Sequence, residues 1–311
     1  MERRSVESIR SIALAAGMSF IMYRLQVTST LFIIPLLFFA PKLESNRLNL
    51  VPIGLVALVL IGTQLTGLSK ELPASTAVGF LFVNLYLPLT LLIGAAIWIG
   101  LAKHSSLRRL LISGAAALVW GLALVLWFSS GSTSVVAVEQ IYRAVFDAIA
   151  PSLVPNQVVQ LQWLFEAVVQ TLMLGFLPLF LGQFGLSLLI SELLIHRTEH
   201  SFQKRLCRWA LPEFFVWFFL GSWSVVLATM FLQVTLLQSL AWNIALAITM
   251  LYALQGISLV ASVMQKRNPQ ASASRVFVLA ILLLLIPGVN LIPLLALPLA
   301  GVSETWIKYR K

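Results

Sequence analysis

Between Ala74 and Ala102 the chain runs for 29 residues without one charged side chain, through "LYLPLTLLIGAAIWIGLA". As a helix that stretch measures about 43 Å at 1.5 Å per residue. This exceeds the ~30 Å hydrocarbon core of a bilayer. Similar apolar runs recur from end to end. Of the 311 residues 59% are hydrophobic and only 10% charged, against roughly 25% charged in soluble domains. The fold class is therefore all-α, a polytopic transmembrane helical bundle.

Spans are expected near 9–23, 27–40, 51–69, 74–102, 107–128, 160–195, 212–235 and 240–264. That makes about eight, in one integral membrane domain over 1–311, with a further proline-broken segment at 276–303. The short first two, separated by "RLQ" at 24–26, also read as one bent hairpin. The charged start "MERRSVESIR" has no small-residue cleavage site after it and is read as retained. A lone cysteine, Cys207, excludes an intramolecular disulfide framework and a cysteine metal cluster.

The net charge of +10 is assigned to membrane topology, not to nucleic acid. With both termini cytoplasmic, the loops at 41–50, 103–106, 196–211 and 265–275 hold most of the basic residues. Only Arg24, Lys70 and Arg143 of the 21 Lys and Arg then fall outside. This places the N-terminus and the basic loops on the cytoplasmic side of the membrane. Residues 276–303 would start and end on the same side, because basic residues flank both ends. Pro287, Pro293 and Pro298 oppose a continuous helix there. A helical hairpin turning at "PGVN" is favoured over a single kinked span, and its freed backbone groups need partners in protein or water.

Ionisable side chains within spans are costly and mark function by default. Glu192, Glu213 and Glu304 sit at basic helix ends, where ion pairing explains them. Glu166 differs, because Gln162, Glu166 and Gln170 share one helix face at i, i+4, i+8. Such a stripe suits a ligand site, hydrogen bonding between helices, or a helix projecting above the membrane. Asn84, Asn243 with Trp242, Gln233, and Thr63, Gln64 and Thr66 fall at similar depth near the outer side. Together they suggest an outward-facing pocket for a small ligand, with Glu166, Gln162, Gln170, Asn84 and Asn243 lining it. Above them, residues 135–157 read as a surface amphipathic helix, either a lid or a plain interfacial element.

Small residues four apart, Ala13 with Gly17, Ala15 with Ser19, and Ser113, Ala117 and Gly121, permit close helix approach. No phosphate-binding loop, no H-E-x-x-H and no nucleophile beside a base is found, so no catalytic, metal or cofactor residues are assigned and the chain is not read as an enzyme. His196 and His200 are i, i+4, with no further ligand placed beside them.

Residues 254–311 resemble the closing region of the YybS-like family of multi-pass bacterial membrane proteins. The resemblance rests on Gln255–Gly256 in a span, a short basic loop, a Leu-rich run into a proline-broken stretch, and the tail residues Glu304, Trp306, Lys308 and Arg310. That family is distantly similar to the substrate-binding S components of energy-coupling factor transporters. The resemblance implies capture of a small ligand from outside and docking on a membrane coupling subunit driven by two ATPases. Ala13 and Gly17 would serve that docking. S components usually have six spans, fewer than expected here. The alternative is a ligand-free membrane scaffold or assembly protein.

Overall fold

A computed structural model describes residues 2–25, 28–43, 46–67, 74–131, 136, 155–196, 199–231, 234–268, 272–286 and 288–310. Among the described residues all regular structure is helical. The chain divides into two compact units, Met1–Ser191 and Glu192–Lys311.

The first unit begins with α1 (Glu2–Arg24), which packs on the short α2 (Ile34–Phe39) and on α3 (Asn46–Gly67). α4 (Ala74–Gly100) pairs with α3 and with α5 (Ser106–Ser129). The expected span 27–40 is a six-residue helix between two 3-10 turns, Ser29–Leu31 and Ala40–Lys42. Pro35 in the first turn of α2 and Pro41 in the second 3-10 turn remove backbone donors, so the run cannot continue as one helix. Its residues 32–37 are nevertheless buried.

The long α6 (Pro155–His196) packs on α4 and α5 through aromatic rings set against glycines. A Cβ on Gly94 would meet the Phe180 ring at 2.7 Å, and one on Gly121 would meet Phe176 at 1.8 Å. Ser113 and Ala117, on the Gly121 face, are also buried, so this small-residue stripe is an internal contact. Ala15 and Ser19 are likewise fully buried, whereas Ala13 and Gly17 are exposed, with open space beside Gly17. At the α4–α5 corner the Arg109 guanidinium lies 3.9 Å from the Trp98 ring centre and donates to Trp98 O (2.8 Å). Ser105 caps α5 by accepting from the Arg108 N–H (3.4 Å).

The second unit is built on α9 (Thr235–Arg267), about 50 Å long. Before it come α7 (His200–Arg208) and α8 (Phe215–Thr229). Trp223 of α8 donates to Thr249 (3.2 Å), and its ring meets Trp242 edge-on. After α9 the chain forms α10 (Ala273–Leu285) and, past a turn at 288–290 with Gly288 at φ +86°, α11 (Leu291–Ser303). Each arm has 13 residues, about 20 Å.

Where α11 touches α9, Gly301 lies against Tyr252 and Gly256, and Leu297 against Gly256, so the contacts run in opposite senses along the two helices. Beyond α11, Glu304 reaches Gln255, and Arg310 reaches Cys207, itself bonded to Gln265. α10 starts beside the same short α7, where Gln203 accepts from the Ser274 N–H (3.0 Å) and bonds the Ser274 hydroxyl. The start of α10 and the tail beyond α11 therefore both meet α7, at Gln203 and at Cys207. That helix lies in 196–211, a stretch the sequence reads as a cytoplasmic loop. It has no long apolar run, only Phe202 and Cys207 turned inward and Lys204, Arg205 and Arg208 outward.

Five helical stretches among the described residues are long and apolar enough to cross a bilayer: Leu48–Thr66, Leu81–Gly100, Ser106–Trp127, Leu174–His196 and Leu236–Arg267. Four shorter apolar helical stretches accompany them. This is an α-helical membrane bundle, with fewer full-length spans described than the eight expected.

Candidate functional site

The first unit holds a cavity of about 330 Å³ where α1 ends. Tyr23, Arg24, Ser29 and Thr30 supply its polar rim, while Phe32 and the α4 face of Leu87, Pro88 and Leu91 form its apolar wall. The chain reverses here because Thr28 Oγ1 donates back to Met22 O (2.9 Å) and its N–H donates to Leu25 O (3.1 Å). Tyr23 and Phe32 meet edge-on at 5.6 Å, fixing the tyrosine ring. The Tyr23 hydroxyl accepts from Gln64 Nε2 (3.2 Å), which ties the end of α3 to the cavity. Among the described residues Thr63 and Thr66 bond only backbone carbonyls of their own helix.

Arg24 is exposed, and its guanidinium has only the Phe20 ring, at 5.9 Å, as a neighbour among the described residues. An unpaired guanidinium on the rim of a cavity suits an anionic or strongly polar group. Asn84 is exposed on α4, four residues before Pro88 and hence on the same face, about 6 Å along the helix. Pro88 has no N–H to offer the Asn84 carbonyl, so the backbone there is open as well. Deeper in this unit Tyr86 and Trp120 stack at 6.2 Å, and both Tyr86 Oη and Trp120 Nε1 are buried without a hydrogen-bond partner. Such orphaned groups are uncommon in folded proteins.

The other expected site residues are placed differently. α6 passes through 162, 166 and 170, but the side chains of Gln162, Glu166 and Gln170 lie outside the described residues. So do Gln233 and nearly all of the surface segment 135–157. Asn243 belongs to the second unit, is fully buried, and donates to Ser239 O (2.8 Å) beside the core of Val226, Ala241 and Ala245. Sequence reading missed Tyr23, Arg24, Ser29 and Thr30 as a group, because a turn between two short apolar runs carries no periodic signal.

The second unit gathers a polar cluster that sequence reading took as separate ends. Glu304, its side chain 10% exposed, accepts from Arg310 Nη2 (2.9 Å), with Arg310 Nε 2.5 Å from its other oxygen. Gln255 Nε2 donates to Glu304 (3.0 Å), and Gln255 Oε1 accepts from the Leu211 N–H (3.0 Å). Arg310 Nη1 donates to Cys207 O (2.7 Å) and Trp209 O (3.1 Å), and Ser258 donates to Leu206 O (2.6 Å). These carbonyls close the C-terminal end of α7, where a cation also complements the helix dipole. Lys308 and Glu213 form a looser, exposed pair at 3.9 Å. Gln255, Glu304 and Arg310, on which the family resemblance partly rests, thus form one closed network.

His196 lies between Glu199 Oε1 (2.9 Å) and Glu192 Oε2 (3.5 Å). Hydrogen bonding to His196 is the main reason that the Glu199 carboxyl titrates below its ordinary value. Burial opposes the shift, while the charge on His196, Ser201 and Arg205 add to it. No group of three or more metal-ligating side chains occurs among the described residues. No family model, curated protein or solved structure matches the chain.

Proposed function

We propose that this chain is a membrane transport component that binds a small ligand from the outer face of a bacterial cytoplasmic membrane, similar to an energy-coupling factor S component. The supporting observation is the 330 Å³ cavity beside Arg24. It combines an apolar wall, hydroxyls and one unpaired cation, the usual make-up of a small-molecule site. With the N-terminus cytoplasmic, Arg24 lies at the outer end of α1, and Asn84 stands above the cavity. The Gln162–Glu166–Gln170 stripe and Asn243 belong to the same proposal as outer-half polar groups. The exposed Ala13 and Gly17 face is the proposed docking surface for a coupling subunit driven by ATPases. The 276–303 hairpin enters and leaves the bilayer on one side in this reading, and the shorter apolar helices complete the span count.

The second reading, a ligand-free scaffold, draws support from the closed network around Glu304 and Arg310. Affinity purification of the tagged chain from native membranes, with mass spectrometry of co-purifying polypeptides, separates the two. An ATPase pair with a membrane coupling subunit supports transport, and a different stable partner supports the scaffold. A thermal-shift screen of small anions then tests the cavity. Any ligand that raises the unfolding temperature should lose at least ten-fold in affinity in Arg24→Ala, and measurably in Asn84→Ala and Glu166→Ala, at unchanged expression. Unaltered binding in all three variants sinks the outer pocket.

A further inference from the structure

A second concavity, of about 530 Å³, lies wholly in the second unit between α9 and α11. Leu259, Val260, Val263 and Met264 form one wall, and Leu299 and Ala300 the other. It is open to the surroundings, since Leu299 is 67% and Met264 45% exposed. Its chemistry changes along its length. At one end Tyr309 donates to the Ser303 hydroxyl (3.3 Å), the only side-chain polar pair on its walls among the described residues. On α9, Val260, Val263 and Met264 share a face with Arg267, three or four residues apart. Arg267 is exposed. The four carboxylates of this unit are engaged elsewhere, Glu192 and Glu199 with His196, Glu213 with Lys308 and Glu304 with Arg310.

We infer that this groove holds one acyl chain of an anionic phospholipid, with its phosphate held at the Arg267 end. An apolar trough parallel to a spanning helix matches the direction of a lipid tail. The exposed Arg267, one turn beyond Met264 on the α9 wall, matches the depth of the head group. A neutral tail-like molecule would leave Arg267 without a role, so charge complementarity selects the anionic lipid over other apolar occupants.

The test uses the full chain in nonionic detergent, incubated with mixed micelles containing either dioleoyl phosphatidylglycerol or dioleoyl phosphatidylcholine. Lipid retained per chain after gel filtration is counted by mass spectrometry. The expected result is retention of the glycerol lipid, with several-fold less of the choline lipid. Arg267→Gln should lower retention of the anionic lipid about five-fold and leave the choline lipid unchanged. Ala300→Trp, which fills the groove, should lower both, with helicity preserved by circular dichroism. Arg275→Gln, on the start of α10, serves as the charge control. Equal retention of the two lipids, an Arg267→Gln variant like the parent, or an Arg275→Gln variant that loses as much as Arg267→Gln, each overturns the inference. So does a dimer that retains no lipid.

Discussion

The polar clusters of the two units are built in opposite ways. In that of the second, Gln255, Ser258, Glu304 and Arg310 bond one another or backbone groups, and two helices touch backbone to backbone. In that of the first, Arg24 and Asn84 face open space. A closed network stabilises one arrangement of the chain. An open set of donors leaves hydrogen-bonding capacity for something that is not part of the chain. The difference separates a fastening from a site, although both are built from the same kinds of residue.

The comparison breaks most sharply at glycines. A Cβ on Gly301 would sit 2.0 Å from Tyr252 O, and one on Gly256 would sit 2.0 Å from Leu297 O. Backbone atoms cannot rotate away, so Gly301→Val should cost about 3 kcal/mol or more and separate α11 from α9. Gly17→Ala in the first unit, with nothing within 4 Å, should be neutral or favourable by about 0.5–1 kcal/mol. Unfolding followed in mixed detergent with increasing dodecyl sulfate compares the two. Equal effects would mean that the close pairing of α9 with α11 does not govern stability.

Next in size is the ion pair. Glu304→Ala leaves Arg310, its side chain 18% exposed, without its carboxylate. The expected loss is about 3 kcal/mol, read as faster trypsin cleavage within 304–311. The double variant Glu304→Leu, Arg310→Met should recover part of it, because no uncompensated charge then remains. In the first unit Arg109→Gln removes the contact with the Trp98 ring and the bond to its carbonyl. The loss should be about 1 kcal/mol, confined to the α4–α5 corner.

How far the sequence foretold these arrangements depends on the range of the interaction. Long apolar runs marked α3, α4, α5 and α9, because each helix carries its own signal. Pro287 and Gly288 marked the break at 288–290 for the same reason, although that break says nothing of which helix the arms would meet. The closest contact in the second unit joins Gly256 to residues more than 40 positions later, whereas a search for paired small residues looks within one helix. Arg24 shows the same limit. In sequence it is one cation in a three-residue turn, and only folding brings Phe32, Leu87 and Pro88 around it.

The smallest expected effect concerns pH. The Glu199 carboxyl titrates below its ordinary value in the folded chain, chiefly through its hydrogen bond to His196. Its contribution is therefore complete above the ordinary carboxylate range and is lost as pH falls through the lowered value. Hydrogen exchange at α7 should quicken modestly over that acidic interval. The dependence should weaken in His196→Phe, and undiminished persistence there would assign it to another group.

Arg310 closes the end of α7 by bonding carbonyls 101 and 103 residues earlier in the chain. During synthesis, at roughly 5–20 residues per second, those carbonyls exist for at least several seconds before their partner is made. Ser258 reaches Leu206 O and Trp209 O earlier, but the Cys207 carbonyl waits for Arg310, and water or lipid head groups must stand in for the guanidinium. The second unit is therefore assembled out of order, with an early helix finished by a late residue. A ribosome stalled between Trp209 and Ser258 would hold a nascent chain whose α7 can still be digested by a protease.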